Sequence, residues 1–298
     1  MKQLPRHRTY TRSFTIAILA TAILISVIYE NAGAQFVDED GQPGNHPVLK
    51  GYVGSAPYLN DYITTELIIW YLVLKDAKEE RLEFRAKYDG VHLGKGGDSF
   101  SRVARENITI GDRNIDIEYY GPRGEPSADS QSRTYSATIK VDNKKLSLKY
   151  EGVKGYKGGD SFSRLAGISS IEGEPSIDIK ILGVKDKRKG DAFSRIRKLS
   201  GNIGTNILSL TYEGAKAHKG GDAFSRIKRI LSEDGRVDIS AYGMGSEKDG
   251  DAHSRITRIK GRFQDYMIDI SYDGAGLGKG GDAFSRPYQA KGTFTRIK

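Results

Sequence analysis

A repeat of 31 residues occupies most of this chain of 298 residues and constrains its fold more than any other feature. Each copy contains an alternating apolar segment that ends at a glycine, and the glycines recur every 31 residues except for one step of 29. The seven glycines are Gly90, Gly121, Gly152, Gly183, Gly214, Gly243 and Gly274. Each is followed by a segment close to the consensus G-x4-K-G-G-D-[AS]-F-S-R. Self-similarity at a fixed period predicts one continuous repeat array.

Each repeat has the pattern of a β-hairpin. In one copy Leu208, Leu210 and Tyr212 alternate with Ser209 and Thr211, which is the period of a strand with one buried face. Turn residues then separate this strand from its apolar neighbour in the chain, which favours hairpin pairing. The sequence therefore predicts an all-β fold of seven tandem hairpins that form a curved sheet or a closed barrel.

A second architecture is compatible with part of the pattern. Phe224, Ile227 and Ile230 are spaced by three residues, and an aspartate just before them is a suitable N-cap. A short helical turn or a bulge is therefore expected between each loop and the next strand. If the helical turns dominate, the alternative fold is a β-solenoid.

The first 34 residues have the layout of a secretory signal peptide. Basic residues precede an apolar run from Phe14 to Ile28, and Ala32-Gly33-Ala34 provides a cleavage motif. The run is shorter than the roughly 20 residues of a membrane-spanning helix. Cleavage would make the protein secreted or cell-surface, while an uncleaved segment would be its one expected membrane contact.

The remaining chain divides into three parts. Residues 35–60 are rich in glycine and proline and are expected to form an irregular arm or linker. Residues 61–81 include the apolar run Leu67 to Leu74, interpreted as a capping strand, with a buried helix as the alternative. Residues 82–298 form the predicted domain of seven repeats.

The net charge of +9 and the absence of cysteine limit the function. The predicted leader contributes +3 of this charge, and the rest is spread over the repeats. This moderate excess allows attraction to an anionic polymer but does not predict a specific nucleic-acid partner. Without cysteine the chain has no disulfide, no thiolate metal site and no cysteine nucleophile.

The consensus loops are the candidate ligand-binding sites, because hairpins in series place all of them on one rim. They offer ammonium, carboxylate and guanidinium groups beside glycines, a mixture suited to sugar hydroxyls or anions. The candidate residues are Lys95, Lys157, Lys219, Lys279, Asp98, Asp160, Asp191, Asp222, Asp282, Arg102, Arg164, Arg195, Arg226 and Arg286. The structural alternative is that the aspartates cap turns, the arginines hold the fold, and only the lysines and glycines are free for ligands.

No catalytic, metal or cofactor site is predicted. The five histidines lack metal-ligand spacing, and no nucleophile elbow, phosphate loop or dinucleotide fingerprint occurs. An outer-membrane barrel is disfavoured because segments such as Arg195 to Lys198 would place charge against lipid. The function predicted from the sequence is a secreted, non-enzymatic protein that binds a polymeric ligand, a polysaccharide or another anionic or hydroxylated polymer, through its loops. The alternative is a structural or self-associating surface or matrix protein whose loops are scaffold only.

Overall fold

The computed structural model describes residues 61–91, 101–121, 132–153, 163–184, 194–215, 225–243, 254–275 and 285–298. The predicted leader, the predicted arm and most of each consensus loop lie outside these ranges. The compact unit to which the described residues belong extends from Gly54 to Lys298.

One helix and fourteen strands make up the described chain. Helix α1 spans Asp61–Leu74. The strands are β1 (Arg81–Gly90), β2 (Val103–Ile110), β3 (Arg113–Tyr120), β4 (Ser136–Val141), β5 (Lys144–Gly152), β6 (Leu165–Glu172), β7 (Ile177–Gly183), β8 (Ile196–Ile203), β9 (Asn206–Gly214), β10 (Ile227–Ser232), β11 (Val237–Gly243), β12 (Ile256–Phe263), β13 (Tyr266–Gly274) and β14 (Pro287–Arg296).

The strands form a closed antiparallel barrel in which every strand pairs with its neighbours in sequence. Strand β14 pairs with β1, so that Arg81 lies opposite Thr295 and the sheet has no free edge. The predicted all-β fold is confirmed in its closed form, and the solenoid alternative is wrong. Six short turns lie at one end of the barrel, called the turn end, and the seven consensus loops begin and finish at the other, called the loop end.

A β-bulge lies beside most consensus loops, with its extra residue on the strand that follows the loop, where the sequence predicted a bulge or a helical turn. The strand register shifts beside six of the seven repeat glycines, for example between Asp89 and Gly90, which is opposite Val103. The other five shifts occur at the equivalent places. Bulges increase local strand twist, and they recur here at one level around the loop end.

The wall of the barrel is apolar inside and polar outside. In β1, Leu82, Phe84 and Tyr88 are buried while Arg85 and Lys87 face outward. The predicted alternation of Leu208, Leu210 and Tyr212 with outward polar residues is confirmed. Cross-strand ion pairs such as Arg229 with Asp238 and Arg258 with Asp269 lie on the outer surface.

The prediction of a capping strand before the repeats is wrong, because residues 61–74 form helix α1 inside the barrel. Neighbour spacing and strand tilt give fourteen strands a diameter of roughly 25–30 Å, too wide for wall side chains alone to fill. A segment inside the barrel has no strand partner, so it must satisfy its own backbone hydrogen bonds, as a helix does. This requirement overrides the low helix propensity of β-branched residues such as Ile68, Ile69 and Val73.

The barrel interior has polar and aromatic layers that match the two halves of the helix. Near the loop end, Tyr62 contacts the rings of Tyr88 and Tyr272 with centroid separations of 5.6 and 5.8 Å. Toward the turn end, Trp70 packs edge-to-face against phenylalanines from three strands. These are Phe84, Phe263 and Phe294, at 6.1, 5.5 and 5.5 Å between ring centroids. The helix therefore runs from the loop end toward the turn end and fills the core.

Candidate functional site at the loop end

A ring of seven buried arginines lies at the loop end, one from each repeat. Each arginine Nη1 donates hydrogen bonds to two backbone carbonyls, that of the next residue and that of the residue two before the glycine of the following repeat. The pairs that join neighbouring repeats are Arg102 with Tyr119 (3.0 Å), Arg133 with Tyr150 (3.0 Å), Arg164 with Ile181 (3.2 Å), Arg195 with Tyr212 (2.6 Å), Arg226 with Ala241 (2.8 Å), Arg255 with Tyr272 (2.7 Å) and Arg286 with Tyr88 (2.7 Å).

This ring explains why each repeat carries the Ser-Arg pair. The serine and the arginine of every repeat are buried, and each arginine has further partners besides the two carbonyls. In five of the seven repeats, the residue after the repeat glycine donates its backbone N–H to the backbone carbonyl of the arginine of the same repeat, as Val91 does to Arg102 at 3.1 Å. The arginine thus closes the neck of its own loop and joins it to the next repeat.

The candidate residues predicted from the sequence separate into two groups. Arg102, Arg164, Arg195, Arg226 and Arg286 are 4–8% exposed and their described contacts support the fold. That is the structural role considered for them, and a direct ligand contact by these arginines stays a prediction. The candidate lysines and aspartates lie outside the described residues, and their role in binding stays a prediction.

Exposed tyrosines lie beside the loop necks on the outer surface. Tyr120, Tyr135, Tyr242 and Tyr288 are 39%, 42%, 49% and 45% exposed. Tyr120 and Tyr135 are adjacent, since the amide of Tyr135 donates to the carbonyl of Tyr120 at 2.7 Å. Tyr242 lies on β11, Tyr288 on β14 and Tyr120 on β3, with Tyr135 just before β4, so the four are spread over more than half of the barrel wall. Sequence analysis missed them, although Tyr120 and Tyr242 directly precede repeat glycines.

A second set of tyrosines points inward just below the arginine ring. Five of the seven carbonyls that accept from the arginines belong to tyrosines whose side chains are buried in the barrel: Tyr88, Tyr119, Tyr150, Tyr212 and Tyr272. This tyrosine belt surrounds the polar half of α1, where Thr65 and Tyr150 are joined by a hydroxyl hydrogen bond of 3.0 Å.

Two buried glutamates lie within the tyrosine belt. Glu66 of α1 accepts hydrogen bonds from the hydroxyls of Tyr88 and of Tyr272, the latter at 2.7 Å. Glu106 of β2 accepts one from Tyr119 at 2.6 Å. Both side chains are fully buried. Sequence analysis missed this pair, though Glu106 stands at an inward position where the other repeats carry Ala137, Ile168, Leu199, Ile230, Ile259 and Ala290.

Burial raises the pKa of both carboxyl groups. Desolvation raises the pKa of Glu66 to about 7, against the lowering effect of its tyrosine donors. Desolvation, and then the charge of Glu66, raise the pKa of Glu106 well above its usual value. Two carboxyls that interact so closely favour a state with fewer than two negative charges. Glu66 belongs to α1 and Glu106 to β2, so the charge state of the pair bears on the stability of the helix inside the barrel.

The described residues contain no group of three or more histidine, aspartate or glutamate side chains placed to hold a metal ion. In the same residues, no helix is long and apolar enough to cross a membrane.

The fold and its loop end define a closed antiparallel barrel with an internal helix and seven loops on one rim. No protein-family model matches the chain, and no curated protein matches it. Among solved structures, the chain is similar to a porin-like protein from Bacteroides uniformis, at 9% identity and a TM-score of 0.30. The similarity covers 73% of this chain and 97% of that protein. Resemblance at this level is no basis for assigning a function.

Proposed function

We propose that this protein is a secreted or cell-surface, non-enzymatic barrel that binds a polymeric ligand, a polysaccharide, at its loop end. The observation that carries the proposal is the closure of the arginine ring. Because Arg286 of the last repeat bonds to Tyr88 of the first, all seven loop necks lie on one circle. Seven similar loops on one rim form a multivalent surface, and many weak contacts to one polymer give strong retention.

The exposed tyrosines support a carbohydrate as the ligand. A tyrosine ring offers an apolar face with a polar hydroxyl at its edge, which suits a sugar ring with its hydroxyl groups. Tyr120 and Tyr135 lie side by side, and the guanidinium of Arg133 lies 5.5 Å from the centroid of the Tyr135 ring. That contact holds one face of the tyrosine and leaves its outer side for a ligand.

The outer wall suits water rather than lipid. A transmembrane barrel needs an outward apolar band, and charge near the bilayer midplane costs about 2–4 kcal/mol per Lys or Arg. The outward-facing residues of β1 are Arg81, Glu83, Arg85 and Lys87, and all four are exposed. This pattern favours a barrel that is secreted or attached at the surface.

The competing self-associating function loses one of its supports. Edge-to-edge packing of the apolar run from Leu67 to Leu74 between copies of the chain would favour that alternative. The run lies inside a closed barrel whose strands have partners on both sides. Closure removes the free edges through which sheets associate, so polymer binding at the loop end is the better supported function.

A glycan array probed with the full chain tests the proposal. We expect retention of one or more polysaccharides, reduced roughly tenfold by the double substitution Tyr120→Ala and Tyr135→Ala. The matched control is Ile171→Ala with Met267→Ala, which removes two exposed apolar side chains, 61% and 44% exposed, away from the loop necks. Absence of any bound glycan or polyanion, or equal effects of both double variants, would contradict the proposal.

A further inference from the structure

The single irregular step of the repeat shortens one hairpin. From Arg226 to Gly243 the chain advances 17 residues, whereas from Arg195 to Gly214 it advances 19. The hydrogen bond from Arg226 to the carbonyl of Ala241 accordingly spans 15 residues, and that from Arg195 to Tyr212 spans 17. The two missing residues therefore belong to hairpin β10–β11.

The short hairpin leaves a notch in the wall at the turn end. At the turn end, the last paired residues of β9 and β10 are Leu210 and Ser232. Residues 206–209 of β9 therefore extend beyond the end of β10. In the β2–β3 turn, a Cβ placed on Gly111 would lie 2.7 Å from Leu82 of the preceding strand. The corresponding Gly235 of the β10–β11 turn has no atom within 4 Å of such a Cβ. The turn thus leaves the projecting end of β9 uncovered.

A cavity of about 590 Å³ lies at this notch. This volume is within the range of about 300–1,000 Å³ that is typical of small-molecule sites. Its walls come from the end of α1, the projecting end of β9, the β10–β11 turn and the β12–β13 turn. The lining side chains that the argument uses are Trp70, Tyr71, Ile207, Asp234, Gln264 and Asp265.

The lining combines apolar surfaces with hydrogen-bonding groups of both kinds. Tyr71 and the 81%-exposed Ile207 provide the apolar surfaces. Gln264 Nε2 donates a 2.7 Å hydrogen bond to the Tyr71 hydroxyl, which fixes both side chains at the cavity wall. Asp265 is exposed beside them.

The charges around the cavity nearly cancel. Three acidic residues and two basic residues line it. Arg236 Nε donates a 2.7 Å hydrogen bond to Asp234, and the hydrogen bond that Asp234 accepts from Ser232, with that from Arg236, lowers its pKa to about 2. A strongly charged ligand would therefore meet little net attraction, and a lipid chain would leave the polar walls without partners.

We propose that this notch binds a small, uncharged, hydroxyl-rich molecule of the saccharide class, independently of the loop end. A hydroxyl group both donates and accepts hydrogen bonds, so it matches a wall that alternates amide and guanidinium donors with carboxylate acceptors. The carbon-bound face of a sugar ring suits the apolar surfaces of Tyr71 and Ile207. The projecting β9 segment adds backbone groups with no strand partner on that side.

Trp70 makes the test direct, because it is the one tryptophan of the chain and lines the cavity. Neutral monosaccharides and disaccharides are titrated into the full chain, and tryptophan emission is recorded. We expect a saturable change with at least one sugar, weakened about tenfold by Asp265→Ala, which removes a charged hydrogen-bond acceptor. Asp112→Ala, an exposed aspartate in the β2–β3 turn, is the matched control and should leave the titration unchanged.

A second variant inserts Ser-Gly after Asp234, which restores the regular length of the hairpin. We expect the insertion to close the notch and abolish the fluorescence change. If the insertion prevents folding, Asp265→Ala alone tests the proposal. The double tyrosine variant of the loop end should still respond, so failure of one proposal is distinguishable from failure of the other. No response to any sugar at about 100 mM, or equal responses of Asp265→Ala and Asp112→Ala, would overturn the proposal.

Discussion

The guanidinium of Arg286, in the last repeat, donates a 2.7 Å hydrogen bond to the carbonyl oxygen of Tyr88, in the first. Six equivalent bonds join the other neighbouring repeats, so the contact that links two repeats within the array also closes the barrel. A repeat array with open ends must cap them, and here the first and last repeats cap each other. The ring of hydrogen bonds at the loop end is therefore closed, and it joins the necks of all seven loops.

The arginine ring predicts a large cost for a conservative change. Arg195→Lys should lower the free energy of unfolding by about 2–3 kcal/mol, because an ammonium is more strongly hydrated than a guanidinium and costs more to bury, and because it lacks the guanidinium's additional N–H donors. Chemical denaturation measures this change. Arg81→Lys, on the exposed face of β1, is the control and should change stability by less than about 0.5 kcal/mol. Equal effects of the two substitutions would mean that the ring does not hold the repeats together.

Trp70 should be a major source of stability for the helix inside the barrel. Trp70→Ala removes a fully buried side chain packed on three phenylalanines and should cost about 3–5 kcal/mol. Ile207→Ala is the control, because that side chain is 81% exposed. Denaturant midpoints measure both variants. A small effect of Trp70→Ala would show that the barrel is stable without a packed helix.

The buried glutamates predict that the protein is more stable in mild acid than in mild alkali. The folded pKa of Glu66 is raised to about 7 and that of Glu106 lies well above its usual value. In the unfolded chain both titrate near about 4.3. A raised folded pKa contributes stability that is complete below the unfolded pKa and is lost as the pH rises through the folded pKa. Unfolding free energy should therefore fall between about pH 5 and pH 8.

Substitution of one carboxyl separates this effect from other titrations. The groups that face the pair are tyrosine hydroxyls, and their raised pKa values keep them protonated over this pH range. They belong to Tyr62 on α1, Tyr88 on β1, Tyr119 on β3 and Tyr272 on β13. The positive charge of Arg255 also acts on Tyr62, where it lowers the pKa. Glu106→Gln should therefore flatten the pH dependence. Glu118→Gln is the control, since a hydrogen bond from Tyr120 lowers the pKa of Glu118. Stability that rises toward pH 8, or an equal slope in Glu106→Gln, would contradict the assignment.

The repeat pattern predicted the strands of the barrel wall but not the helix inside the barrel. Local alternation and turns determine hairpin pairing, so the inward face of Leu208, Leu210 and Tyr212 could be derived from one copy of the repeat. Helix α1 could not, because a helix buried on all sides has no amphipathic period and Leu67 to Leu74 is equally compatible with a strand. The sequence indicated the internal helix only indirectly, because a closed barrel of fourteen strands encloses a space that the wall side chains alone do not fill.

The same limit applies to the candidate site. Glu106 was detectable in principle as the one acidic residue at an inward position that is apolar in the other repeats. Its partner Glu66 lies outside the repeats, and only the three-dimensional packing brings the two together. The role of the arginines could be anticipated as structural, but their acceptors are backbone carbonyls 15 to 17 residues away or across the barrel closure, which carry no residue-type signal.

The central claim, that the loop end separates residues for folding from residues for binding, is tested most directly with the loop lysines. Lys95, Lys157, Lys219 and Lys279 are all replaced by serine, and the melting temperature and retention on immobilised polysaccharide are measured for the same preparation. A lysine exposed to solvent contributes little to stability, so we expect the melting temperature to stay within about 2 °C if these lysines serve binding rather than folding. Retention should fall more than any single substitution would cause, because avidity compounds the losses. Retention equal to that of the parent protein would contradict the claim and leave the loops as scaffold.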